Sequence, residues 1–153
     1  MTPSAASALP RHAILPYAGT IFLSAFLLFL VQPVVAKQIL PWFGGSAAVW
    51  TTCMVFFQSI LLAGYAYADF TSKLGLRRQA LLHAGLLLVS LALLPILPDT
   101  SWKPAGEAEP IGRILLLLTA TIGLPYFLLS STTPLLQAWY WQRFRSAVPY
   151  RLF

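Results

Sequence analysis

Four stretches, roughly 14–40, 46–68, 79–97 and 111–136, are apolar almost without interruption, and nothing else in the sequence restricts its fold as much. Crossing ~30 Å of hydrocarbon takes about 20 residues of α-helix, which each stretch approaches or exceeds. Inside lipid the backbone has no water to bond, so a spanning segment must satisfy its own N–H and C=O groups, as a helix does. Outer-membrane strands would alternate polar and apolar residues over about ten positions, and these stretches do not alternate. The expected fold class is an all-α membrane protein with four transmembrane helices. Composition agrees: 58% of the residues are hydrophobic and 9% charged, against about 25% charged in ordinary soluble domains.

Residues 1–13 are small, polar and Pro-containing, and read as a disordered cytoplasmic tail. The four-helix region is expected over 14–145. In the first segment Arg11 and Val34-x-Ala36 suggest a cleaved signal peptide. The apolar run exceeds the usual 7–15 residues of such a leader, and further hydrophobic segments follow, so a retained helix is the expectation. Before the second segment Ser46 is a candidate N-cap. The connections 69–78 and 98–110 hold the Gly and Pro that favour exposed loops. Residues 146–153 read as a truncated cytoplasmic end.

Charge sets the orientation. With four spans, Arg11, Lys73, Arg77, Arg78, Arg143, Arg145 and Arg151 share one side, and Lys37, Lys103 and Arg113 the other. Basic residues concentrate on the cytoplasmic side, which places both termini there. Trp42, Trp50 and Trp102 then fall at the outer boundary, and Tyr65, Tyr67, Trp139, Tyr140 and Trp141 at the inner one, the depth that amphipathic rings prefer. The net charge of +6 has no basic stripe behind it, which argues against nucleic acid.

The sequence holds no Gly-rich phosphate loop, no G-x-S-x-G elbow and no metal-ligand cluster. Its single cysteine, Cys53, lies within an apolar run. All four acidic residues, Asp69, Asp99, Glu107 and Glu109, fall in connections. No catalytic, cofactor-binding or metal residue is expected, and no cofactor. Polar residues inside the apolar segments are the candidates for a solute path: Gln32 beside Pro33, Gln58, and Ser130, Thr133 and Gln137 around Pro134. Hydroxyls and amides beside a proline equally serve as structural helix contacts. His83, one turn inside the third segment, is expected to be a packed histidine rather than a proton sensor. Ala63, Gly64, Ala66 and Ala68 permit close helix approach.

The segment containing Gly64, Asp69, Gly75, Arg77 and Arg78 resembles the loop between helices two and three of major facilitator transporters. There, an acidic residue pairs with basic residues at the cytoplasmic helix ends. One extra residue separates Gly64 from Asp69 relative to that pattern, and an ordinary cytoplasmic turn is the competing explanation.

A wider resemblance rests on Leu30-Val-Gln32-Pro33, Ala36-Lys37-Gln-Ile-Leu-Pro41-Trp42-Phe43-Gly44-Gly45-Ser46, Val49-Trp50, Phe56-Phe57-Gln58, Leu62-Ala63-Gly64-Tyr65, Gly123-Leu124-Pro125-Tyr126-Phe127 and Leu129-Ser130-Ser131-Thr132-Thr133-Pro134-Leu135-Leu136-Gln137. These strings resemble the N-terminal membrane region of bacterial spermidine-synthase-like proteins, where transporter-like helices are fused to a polyamine aminopropyltransferase-like domain. The resemblance implies the first helices of a major facilitator half, an inner-membrane location, and a fragment lacking the catalytic domain. It implies a transporter-like module that is not itself an enzyme. A membrane anchor or scaffold without transport is the alternative. The expected partners are the lipid bilayer, the remainder of the same protein and an undetermined small solute.

Overall fold

In a computed structural model, residues 11–93, 102–103 and 110–144 are described. The expected tail therefore lies outside these residues up to position 10, as do 94–97 of the third segment and the end from 145. Every regular element among the described residues is helical: α1 (Arg11–Ile39), α2 (Ala47–Thr71), α3 (Leu76–Ala92), α4 (Pro110–Leu118) and α5 (Leu124–Phe144).

Helix α1 begins at Arg11 and contains Pro16 and Pro33. A proline inside a helix removes one backbone donor, and after Pro33 the helix runs on for less than two turns. A 3-10 turn over Leu40–Trp42 follows. The reversal into α2 uses left-handed backbone at Gly44 and Gly45, φ 87° and 62°, which lacks a Cβ penalty only for glycine. Ser46 caps α2 as expected, its hydroxyl accepting from Val49 N at 3.4 Å.

The connection expected over 69–78 is almost all helix. Helix α2 continues to Thr71, a 3-10 turn covers Ser72–Leu74, and α3 starts at Leu76. Only Gly75, at φ 78°, breaks the run. The polar residues that suggest a loop instead occupy helix ends that lie beyond the apolar stretch.

The fourth segment is helical throughout but not uniform. A π-helical turn over Thr119–Gly123 separates α4 from α5. Pro125 explains its position: without an N–H it cannot serve the Thr121 carbonyl in the α-helical pattern, and a wider turn takes up the mismatch.

Helix α5 packs against α1, α2 and α3. It runs antiparallel to α1, because Tyr17 meets Tyr140 edge to face at 5.4 Å between centroids while Gln32, about four turns later on α1, meets Tyr126, about four turns earlier on α5. One end of the bundle thus gathers the start of α1, the α2–α3 turn and the end of α5. The other end holds an apolar core: Ala36 and Ile39 of α1, Val49, Cys53, Phe56 and Phe57 of α2, and Ile114, Leu117 and Leu118 of α4. Trp42 and Trp102 pack against that core, and Lys103 Nζ lies 5.7 Å over the Trp42 ring.

The outside is oily. Phe22, Phe26 and Phe29 on α1 and Leu81, Leu88 and Leu91 on α3 are exposed, Phe29 to 83%. Three helical stretches, Ile14–Trp42, Ala47–Leu74 and Ile111–Arg143, are long and apolar enough to cross a membrane by length and composition. The 17 described residues of α3 measure about 26 Å at 1.5 Å per residue.

Candidate functional site

Residues 130–134 place four hydroxyls on the turn before Pro134 of α5. Three of them bond to their own helix. Ser130 Oγ donates to Phe127 O at 2.7 Å, Ser131 Oγ to Leu128 O at 3.0 Å, and Thr132 Oγ1 to Leu128 O at 2.8 Å. Thr133 Oγ1 is buried with no partner. Ser130 also forms a close helix contact. A Cβ added to Gly64 of α2 would overlap Ser130 Oγ and come within 3.2 Å of Phe127 O. Of the small residues on that stretch of α2, Gly64 and Ala68 are buried, while Ala63 and Ala66 face outward.

Gln32, half-buried on α1, donates from Nε2 to Tyr126 OH on α5 at 2.5 Å. The two prolines, Pro33 and Pro125, flank this bond, one on each helix. Gln58 is exposed on α2, and Gln137 is half-buried on α5. The five intramembrane candidates therefore do not line one cavity: Gln32 engages α5, Ser130 engages α2, and Gln58 faces outward.

The facilitator-like motif is spread along two helices. Gly64 sits within α2, where it serves packing rather than a bend. Asp69, Gly75, Arg77 and Arg78 are exposed around the α2–α3 turn. Among the described residues, no ion pair joins Asp69 to either arginine.

A second polar group forms where α2, α3 and α5 meet. At the end of α2 the Ser72 N–H bonds to Asp69 O, as in a 3-10 turn. That leaves the Ala68 carbonyl without its helical donor. Gln79 of α3, with no exposed surface, fills the gap, donating from Nε2 to Ala68 O at 3.2 Å and to Thr71 Oγ1 at 2.9 Å. Thr71 Oγ1 in turn donates to Tyr67 O at 2.6 Å. Trp139 of α5 donates from Nε1 to Gln79 Oε1 at 2.7 Å. Every polar atom of the Gln79 side chain is thus engaged, and one amide ties three helices together.

One turn deeper, the pattern changes. His83 is 5% exposed, and neither ring nitrogen has a partner. The Tyr67 ring lies 6.1 Å away and its hydroxyl is also buried and unpartnered. Trp139 meets the imidazole edge to face at 6.5 Å, and Phe127 lies 5.2 Å from Tyr67. Burying such a group without a partner costs about 1–3 kcal/mol.

These contacts follow from one feature of α3. Its buried residues are Gln79, His83 and Ser90, while its leucines are mostly exposed. Offsets of four and seven put all three on one helical face. Helix α3 thus turns its polar stripe inward and its apolar surface outward, the reverse of a helix in water. Gln79 and Thr71 do not stand out in the sequence, Trp139 stands out there only as an interfacial ring, and His83 is packed as the sequence leads one to expect. The spacing of Gln79, His83 and Ser90 within a Leu-rich run was the available signal.

An open groove of about 470 Å³ lies at the opposite end, lined by Trp102, Gly112, Arg113 and Leu116. Arg113 there donates to Lys103 O at 3.3 Å. Among the described residues no three His, Cys, Asp or Glu side chains converge to hold a metal ion.

No family model, no curated protein and no solved structure matches the chain.

Proposed function

We propose that this chain is a transporter-like, multi-pass membrane module, of the kind found at the N-terminus of spermidine-synthase-like proteins, seated in a bacterial inner membrane with both ends of its helical region cytoplasmic. The observation that carries the reading is the Gln32–Tyr126 bond between α1 and α5. It joins two proline-containing helices in antiparallel packing, one continuous through Pro33 and the other carrying a π-helical turn before Pro125, and polar groups beside local helix irregularities near mid-membrane are where many transporters place a solute site. The polar inner face of α3 adds support, since polar groups within a membrane are costly and face a bundle interior or a cavity. On this reading aminopropyl-transfer chemistry belongs to a separate α/β domain, and the chain does no catalysis of its own.

A scaffold role is favoured by a different observation. Ser130, Ser131 and Thr132 bond to their own helix, and Ser130 sits tight against Gly64, which is dry helix packing rather than a path.

The chain reconstituted in liposomes, tested for uptake of radiolabelled polyamines, separates the two. The transporter reading expects uptake above protein-free vesicles, reduced by Gln32→Ala and Thr133→Ala. Uptake at the protein-free level, or uptake indifferent to both substitutions, favours the scaffold.

A further inference from the structure

We infer that Tyr67 and His83 form a binding site, between α2, α3 and α5, for one small ligand that both donates and accepts hydrogen bonds. Three observations carry it. The imidazole is nine-tenths buried and both of its nitrogens are unpartnered. The neighbouring Tyr67 ring is half-buried, but its hydroxyl is buried and unpartnered, with ring centroids 6.1 Å apart. Next to them the Gln79 amide has every polar atom engaged, so the open groups are not a general looseness of the helix contact.

The chemistry of the occupant follows from the groups. A neutral imidazole offers one donor and one acceptor, and a phenol offers both. Satisfying the pair takes a ligand able to give and receive at once: a water molecule, or a hydroxyl or amine group of a solute. The other groups facing the site do not compete for that ligand. Trp139 has already spent its N–H on Gln79, and Phe127 has none to give. Lys73, Arg77, Arg78 and Asp69 are exposed at the adjoining end of the helices, beyond the Gln79 amide, and do not reach the site. Ser90, buried two turns beyond His83 on the same face, extends the polar seam inward. The site deepens the transporter reading and rests on it only where the occupant is a solute. The demand for hydrogen-bond partners stands without it.

Two experiments on the whole chain in liposomes test the site. In a Cys53→Ser background, His83→Cys and the outward-facing Ala84→Cys are exposed to a membrane-impermeant methanethiosulfonate. Reaction needs an ionised thiolate, so a solvated position is expected to react about tenfold or more faster than a lipid-facing one. Equal, negligible rates at both, with Arg78→Cys reacting normally, overturn the site.

The second experiment needs no cysteine. Tyr67→Phe removes a hydroxyl that is bonded if the site is occupied and orphaned if it is dry. A lowered thermal midpoint is expected, and a raised one overturns the site. Loss of uptake with labelling intact removes the transporter reading and leaves the site standing. Retained uptake with no labelling does the reverse.

Discussion

Trp139 Nε1 donates to Gln79 Oε1 at 2.7 Å, a bond between α5 and α3 across sixty residues of sequence. The same amide donates to Ala68 O and Thr71 Oγ1 at the end of α2. Gln79→Leu keeps roughly the size and removes every one of these bonds, leaving Trp139 Nε1 without an acceptor and Ala68 O with only the long 3.4 Å bond from Thr71 Oγ1. Bonds between membrane helices average about 0.6 kcal/mol in double-mutant cycles, but orphaned groups add to the loss. We expect Gln79→Leu to destabilise by about 2 kcal/mol in detergent unfolding. A cycle with Trp139→Phe should give a coupling near 1 kcal/mol, and strict additivity would show that the bond carries no energy.

Gly64 and Ser130 set the approach of α2 to α5. An added Cβ at Gly64 would overlap Ser130 Oγ and sit 3.1 Å from Ser130 Cβ, so Ser130 must leave the rotamer that bonds Phe127 O and the backbone must give by a few tenths of an ångström. Overpacking of this kind costs about 1–3 kcal/mol. Gly64→Ala is expected to fall in that range, and adding Ser130→Ala should recover part of the loss, since the clashing oxygen is gone but the Cβ is not. Gly85 of α3 is the control. Nothing lies within 4 Å of an added methyl there, and alanine favours helix by about 1 kcal/mol, so Gly85→Ala should be neutral or stabilising. Equal losses at both glycines would mean that the α2–α5 contact is looser than the packing implies.

The helices were legible in the sequence because their signal is local. Long apolar runs, Ser46 as a cap and glycines at the reversal all act within a few residues. The α2–α3 connection is shorter than Asp69, Lys73 and Arg77 suggest, because charged residues at the end of a membrane helix remain helical while projecting into water. The polar contacts were less legible. Gln32, Ser130 and Thr133 stand out in the sequence beside prolines, but which helix each one faces depends on the rotation of every helix about its axis. Gln58 turned outward for that reason. Gln79 stands in the sequence only as the start of the third apolar segment, although its spacing to His83 and Ser90 marks one face of α3. The partners Ala68 and Trp139 come from other helices, and no spacing within α3 announces them.

Tyr126 is 1% exposed, and its hydroxyl accepts from Gln32. Tyr126→Phe leaves the Gln32 amide without that acceptor, and Gln32→Leu leaves the phenol without its donor. Each is expected to cost about 1 kcal/mol. The double variant should cost less than the two together, because replacing both partners by apolar groups leaves no orphan. Gln58→Leu, on an exposed position of α2, should change stability by less than about 0.5 kcal/mol. A loss at Gln58 as large as that at Gln32 would point to a partner for Gln58 outside the described helices.

Whether α3 crosses the membrane can be decided by where its two ends emerge. Its described length is about 26 Å, close to the ~30 Å of hydrocarbon. Its outward face is leucine: Leu81, Leu88 and Leu91 are each more than half exposed, a surface that water would not tolerate and lipid would. Its polar face is turned to α2 and α5. A helix lying on the membrane surface would present the opposite arrangement, with its charges to water along one whole side, whereas Arg77 and Arg78 stand together at one end. Reporters active on only one side of the membrane, inserted after Lys73 and after Lys103, are therefore expected to report opposite sides, with the Lys73 position cytoplasmic by the distribution of basic residues. Activity on the same side at both positions would mean that α3 does not span, and the helical region would then cross three times.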